Sequence, residues 1–233
     1  MNAPVKSPVG RRARKALETR RRVLDAAETL FIRDGYSATT MTAIADQADV
    51  AVQTLYAVFG NKRTILLELI NARVTDDDHA DTLPGRDDWQ AMERETDPHR
   101  QIALFAAIAT RIATRSAAIN EVMVAAAGAD PEIAAISEQQ RHARYKDQRR
   151  LARSLASKDA LRHGTTADLA ADIIWAIATT RTYRALVGER RWTTDQYQRW
   201  LTDLLSRELL AEPTSASRCD QKPRRQAGRR LGI

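Results

Sequence analysis

Between residues 11 and 211 the chain contains only six glycines (Gly35, Gly60, Gly85, Gly128, Gly164, Gly188) and three prolines (Pro84, Pro98, Pro131). The long stretches between these breakers are rich in Ala, Leu, Arg and Glu, which are good helix formers, and they lack runs of alternating β-branched residues. Such a chain is constrained to an all-α fold. Apolar spacing agrees. Val23, Ala27, Leu30 and Phe31 fall on one helical face, and so do Tyr197, Trp200, Leu201, Leu204 and Leu205.

Capping residues set the boundaries. Asp97-Pro98 and Asp130-Pro131 each place a carboxylate before a proline at the first helical position. Thr165-x-x-Asp168 and Thr193-x-x-Gln196 resemble capping boxes, and Asn61 suits the start of a helix at Lys62. The pattern predicts helices over 13–34, 41–48, 52–59, 62–79, 87–95, 98–127 (broken near Ser116), 131–158, 166–188 and 194–210. The 166–188 helix carries one apolar stripe at Leu169, Ile173 and Ile177. A second runs through Trp175, Thr179, Thr182 and Leu186. Apolar groups on two faces imply cover from two sides, by the core and by something else, for which a second subunit is a natural candidate.

Charge is unevenly distributed. The formal net charge is +7, but residues 1–22 hold eight basic side chains against Glu18 alone, and residues 212–233 hold six against Glu212 and Asp220. The body between them is mildly acidic. A basic arm on such a body suits a polyanion met from one side. Nothing approaches the roughly 18 consecutive apolar residues of a membrane span, so no membrane association is expected. The single cysteine, Cys219, cannot form an internal disulfide, and a cytoplasmic location is expected.

The most informative stretch is Thr39 to Lys62. Two short helices are joined at Ala48-Asp49-Val50. Ile44, Ala45, Val50, Leu55 and Phe59 are spaced to share a small core with Leu30 and Phe31. Such a unit can present its last helix to the major groove of DNA. Val52, Gln53 and Thr54, with Ala51 at the mouth of the helix, would reach base edges. Glutamine can pair bidentately with adenine, and apolar groups can meet the thymine methyl. Thr40, Tyr56 and Lys62 suit phosphate contacts, which position rather than specify.

These residues carry a resemblance. The segment 16–70, with Gly35-Tyr36, Thr39-Thr40, Ile44-Ala45, Ala48-Asp49-Val50, Thr54-Leu55-Tyr56, Phe59 and Asn61-Lys62, resembles the DNA-binding region of the tetracycline-repressor (TetR) family. The segment from Ala171 to Arg190 resembles the C-terminal domains of many members. Three features depart from the pattern. Asp49 stands where the turn usually has glycine, Ala51 replaces a capping serine, and Ala57 and Val58 occupy positions often held by His, Tyr or Arg. The recognition helix therefore has few donors. The motif 39–63 is also neutral overall, so the N-terminal arm is expected to supply much of the attraction to DNA. Removing residues 1–15 should then weaken binding and flatten its salt dependence.

Low hydrophobicity and clustered charge predict a disordered basic arm (1–12) and a disordered basic tail (212–233), and the resemblance implies a helix-turn-helix domain (13–63) and a helical effector-binding and dimerisation domain (64–211). It implies a homodimer formed through the helices near 166–188 and 194–210, on a palindromic double-stranded operator. It implies an unidentified small-molecule effector and repression as the default outcome. The effector pocket would be lined by Phe105, Ile108, Ile112, Met123, Tyr145 and Trp175. Activation of transcription, and a helical ligand-binding or scaffold protein without DNA binding, remain open as alternatives. No catalytic constellation is visible. Asp76-Asp77-Asp78-His79-x-Asp81 does not converge on an ion when helical, so neither an enzyme activity nor a metal or cofactor is expected.

Overall fold

The computed structural model describes residues 8–75 and 85–212. The described residues form α1 (Pro8–Asp34), α2 (Met41–Gln47), α3 (Val52–Phe59), α4 (Lys62–Thr75), α5 (Asp87–Arg94), α6 (Pro98–Ala127), α7 (Pro131–Ala156), α8 (Ala167–Ile177), α9 (Thr180–Tyr183), a π-helical turn (Arg184–Glu189) and α10 (Thr194–Leu209). There is no strand among them. A lone antiparallel bridge, Leu161 to Leu210, ties the end of α10 to the loop after α7. The all-α reading holds.

The local signals act as expected where they are strongest. Asp97 Oδ1 accepts from the amides of His99 and Arg100, and Asp130 Oδ1 from those of Glu132 and Ile133, each ahead of a helix with proline in its first turn. Thr193 and Gln196 close a full capping box on α10. Asn61 Oδ1 accepts from the Thr64 amide at 2.9 Å.

Four expectations are corrected. The first helix starts at Pro8 rather than at 13; its φ is already set for a first helical turn and its missing N–H removes no bond there. α6 runs unbroken through Ser116, whose hydroxyl donates to the Ile112 carbonyl one turn back and adds no break. The cap of α8 is Thr166, not Thr165, accepting from the Leu169 amide. The stretch 166–188 is not one helix. Ala178 leaves helical geometry at φ −82°, ψ 64°, and Thr179 caps a new turn by accepting from the Thr182 amide.

Buried residues fall into two clusters. The first joins α1–α4 (Val23, Phe31, Ile44, Leu55, Phe59, Leu66) to Ile119, Met123 and Ala126 on α6 and to Ile133 on α7. The second joins α5, the first half of α6, α7, α8 and α10 around Phe105, Leu151, Ile174 and Tyr197. Packing therefore does not divide at residue 63, because α4 belongs wholly to the first cluster and α6 passes through both. α6 is also long and apolar enough, by length and composition, to cross a membrane, which the residue pattern was not expected to allow; half of its most apolar stretch is buried inside the fold.

Candidate nucleic-acid interface and effector cavity

The turn between α2 and α3 depends on one backbone angle. Asp49 has φ 53°, the left-handed region, where the short polar side chain of aspartate is better tolerated than most. The Val50 amide then donates to the Ala45 carbonyl at 3.0 Å, which redirects the chain into α3. Ala51 caps α3 with its carbonyl only, bonded by the Thr54 amide at 2.9 Å, and offers no side-chain cap, as expected for alanine.

On α3, Leu55 and Phe59 lie one turn apart and are buried, so the helix is pinned on that face. Gln53, Thr54, Tyr56, Ala57 and Val58 face solvent. The outward strip therefore combines one amide, one hydroxyl and one phenol with apolar groups. Val52 departs from its expected role as a base reader, being half-buried against the core. Thr40 is exposed, and its hydroxyl caps α2 by accepting from the Ala43 amide at 3.1 Å.

Lys62 also departs from expectation. Its ammonium donates to the carbonyls of Tyr36 (2.6 Å), Thr39 (2.7 Å) and Ser37 (3.4 Å) and sits 4.3 Å from the Tyr36 ring centroid. All three of its donors are engaged, so it clamps the α1–α2 loop onto α4 instead of presenting a free cation to phosphate. Burial pushes its pKa below the usual lysine range. Lys62→Met should lower stability by about 1–3 kcal/mol, since two part-buried carbonyls lose their donor. Urea denaturation would measure this; an unchanged midpoint contradicts the clamp.

Sequence reasoning missed two ties between α4 and its surroundings. Arg63 pairs with Asp130 at 3.2 Å and with Glu132 across the α6–α7 loop. Arg73 pairs with Asp25 at 2.9 Å and with Glu28 on α1, which holds its guanidinium above the usual arginine range. Each joins residues tens of positions apart, and no spacing rule reports such pairs.

Behind α1 and α4 lies a cavity of about 1010 Å³, at the upper end of the roughly 300–1,000 Å³ typical of small-molecule sites. Phe105, Ile108, Ile112, Met123 and Trp175 line it as expected. Tyr145 does not. Its hydroxyl donates to Asp172 at 2.9 Å and ties α7 to α8, so the side chain is directed away from the cavity. The cavity wall also includes Arg20 and Glu68, whose charged atoms approach to 2.7 Å. The Arg20 guanidinium lies 5.3 Å from the centroid of Phe59, the last residue of α3. Burial pushes the Glu68 carboxyl upward, and the Arg20 charge opposes that shift. One side chain therefore touches both the cavity wall and the end of the helix-turn-helix.

The Asp76–Asp81 acidic run, Cys219 and the basic tail lie outside the described residues.

The family described as "Bacterial regulatory proteins, tetR family" matches residues 23–69. The transcriptional repressor KstR of Rhodococcus jostii is 40% identical over 78 residues, 33% of this chain and 36% of the relative. KstR of Mycobacterium tuberculosis is 31% identical over 109 residues, 47% of this chain and 46% of the relative. The chain thus spans less than half the length of these relatives. Among solved structures, NalD, the secondary repressor of the MexAB-OprM multidrug efflux pump in Pseudomonas aeruginosa, aligns with a TM-score of 0.64 at 22% identity, covering 84% of this chain and 97% of that one. The MbdR regulator of Azoarcus sp. aligns with a TM-score of 0.64 at 17% identity, covering 83% and 100%. At these identities the structural likeness speaks for the fold.

Proposed function

We propose that the chain is a sequence-specific, DNA-binding transcriptional repressor of the tetR family, whose description matches residues 23–69, released from a palindromic operator by a small molecule. The observation that carries this reading is α3, held on its inner face by Leu55 and Phe59 while Gln53, Thr54 and Tyr56 stand free on its outer face. A helix fixed on one side and polar at its outer start is what major-groove readout needs. Gln53 and Thr54 read bases, Ala51 and Val52 limit the approach, and Thr40 and Tyr56 contact phosphate. Functionally, residues 13–63 read DNA and 64–211 sense and dimerise.

Dimerisation through the α8–α9 region and α10 is supported by Leu169, 47% exposed on α8 although apolar, and by Trp200, half-buried on α10. Effector release is supported by Arg20, which links the cavity wall to Phe59. A ligand that binds better to a conformation in which this contact has moved would weaken DNA binding. The protein acts in the cytoplasm and has no catalytic role.

Selection from a random duplex library with the purified protein tests the reading. The expected result is a palindrome with half-sites about 34 Å apart. In Gln53→Ala, the preference at one base pair of each half-site should relax, by about 1–3 kcal/mol. Binding without sequence preference would overturn the reading in favour of a ligand-binding helical protein.

A further inference from the structure

The chemistry of the cavity wall is more specific than an apolar lining. Four kinds of charged group meet it. Arg20 is engaged with Glu68, and Arg141 pairs with Glu138. Lys146 and Arg181 are exposed to solvent. Asp147 is partly buried, which pushes its carboxyl upward, and the charges acting on it are Arg150 and Glu93 rather than any in the cavity. Arg144 is the exception. Its Nε is buried with no hydrogen-bond partner, and no carboxylate among the described residues pairs with it. Its guanidinium lies 5.4 Å from the Trp175 ring centroid, and burial together with the like charge of Arg141 pushes its pKa below the usual arginine range. One turn further along the same face of α7, Gln148 is 3% exposed, lines the cavity, and has a buried Oε1 without a partner.

A half-buried guanidinium with a buried, unbonded Nε is less favourable than one that is paired. Arg144 and Gln148 together form a polar end in a cavity otherwise walled by Phe105, Ile108, Ile112 and Trp175. We propose that the cavity takes an amphipathic monocarboxylate, its head on Arg144 and its apolar body between α6 and α8. Guanidinium presents a planar pair of donors matched to carboxylate. A singly charged head is favoured because Arg144 is the one partly buried cation of the wall that no carboxylate among the described residues pairs with. This rests on reading the cavity as the effector site.

Calorimetry on the full chain with three probes of one chain length tests it: dodecanoate, dodecanol and dodecyltrimethylammonium, each below its micelle concentration. Dodecanoate should bind about ten- to hundredfold more tightly than dodecanol, the range expected for a hydrogen-bonded charge. The ammonium probe should bind most weakly. Arg144→Gln should abolish the preference for dodecanoate and leave dodecanol binding unchanged, and Arg144→Lys should restore part of it. Ile108→Trp, which fills the cavity, should remove binding of both. Dodecanol binding as tightly as dodecanoate, or a preference that survives Arg144→Gln, overturns the carboxylate assignment and leaves the cavity reading standing. Failure of all three probes to bind the folded protein, or dodecanoate binding that survives Ile108→Trp, overturns the cavity reading as well.

Discussion

Phe31→Ala should destabilise the protein by about 3–5 kcal/mol, the range for removing a large aromatic from a packed core. Phe31 is fully buried, touches Tyr36 with ring centroids 5.5 Å apart, and lies in the cluster that holds Ile44, Leu55 and Phe59 in place. Against a typical total of about 5–15 kcal/mol, that loss is a large share of the stability. DNA binding should fall with it, because α3 keeps its orientation only while Leu55 and Phe59 are packed. Ile32→Ala next door is the control. Ile32 is 48% exposed, and a surface change of this kind should stay within about 0.5 kcal/mol. Urea denaturation followed by circular dichroism distinguishes the two. Because Ile119, Met123 and Ala126 of α6 share this cluster, both variants should unfold in one transition. A Phe31→Ala loss below about 1 kcal/mol, or a separate early transition, would contradict the packing described.

The second large effect concerns charge. Replacing Arg11, Arg12, Arg14 and Lys15 together by glutamine should weaken binding to any duplex DNA by about ten- to thousandfold at physiological salt. The slope of log affinity against log salt should fall by about 2–4, near 0.9 for each phosphate contact removed. These residues lie in the first turns of α1, which begins at Pro8. A truncation at residue 15 would therefore shorten a helix as well as remove charge. Glutamine keeps the helix and isolates the electrostatic contribution. Fluorescence anisotropy with a duplex of arbitrary sequence suffices, since this attraction does not depend on base readout. An unchanged slope would show that the attraction comes from elsewhere on the surface. That outcome would be informative, because the motif itself is neutral and Lys62 is occupied by three carbonyls.

What could be read from residues alone was what neighbours in the chain decide. The bounds of α3 at Val52 and Phe59, the left-handed Asp49, the uncapped Ala51, the Asp-Pro starts of α6 and α7 and the capping box of α10 all stand as the sequence predicts. Each rests on interactions within a few residues, where backbone geometry and side-chain chemistry suffice. The apolar spacing also identified most of the first core.

The rest needed the chain to close on itself. Lys62 carries the same ammonium whether it meets a phosphate or the carbonyls of Tyr36, Ser37 and Thr39, and only the approach of α4 to the α1–α2 loop decides which. Tyr145 has the spacing of a wall residue, but Asp172 on a different helix draws it away. The break at Ala178 is marked by no glycine or proline, and it appears in the backbone that leaves helical geometry there while Thr179 caps a new turn. Arg144 is one arginine among many in a helix that reads as solvated. Its unpaired burial beside Trp175 emerges only when α7 and α8 are brought together. Local sequence determined the helices and the form of the reading head. Long-range packing decided which charges are engaged, which are left unpaired, and so what each site can bind.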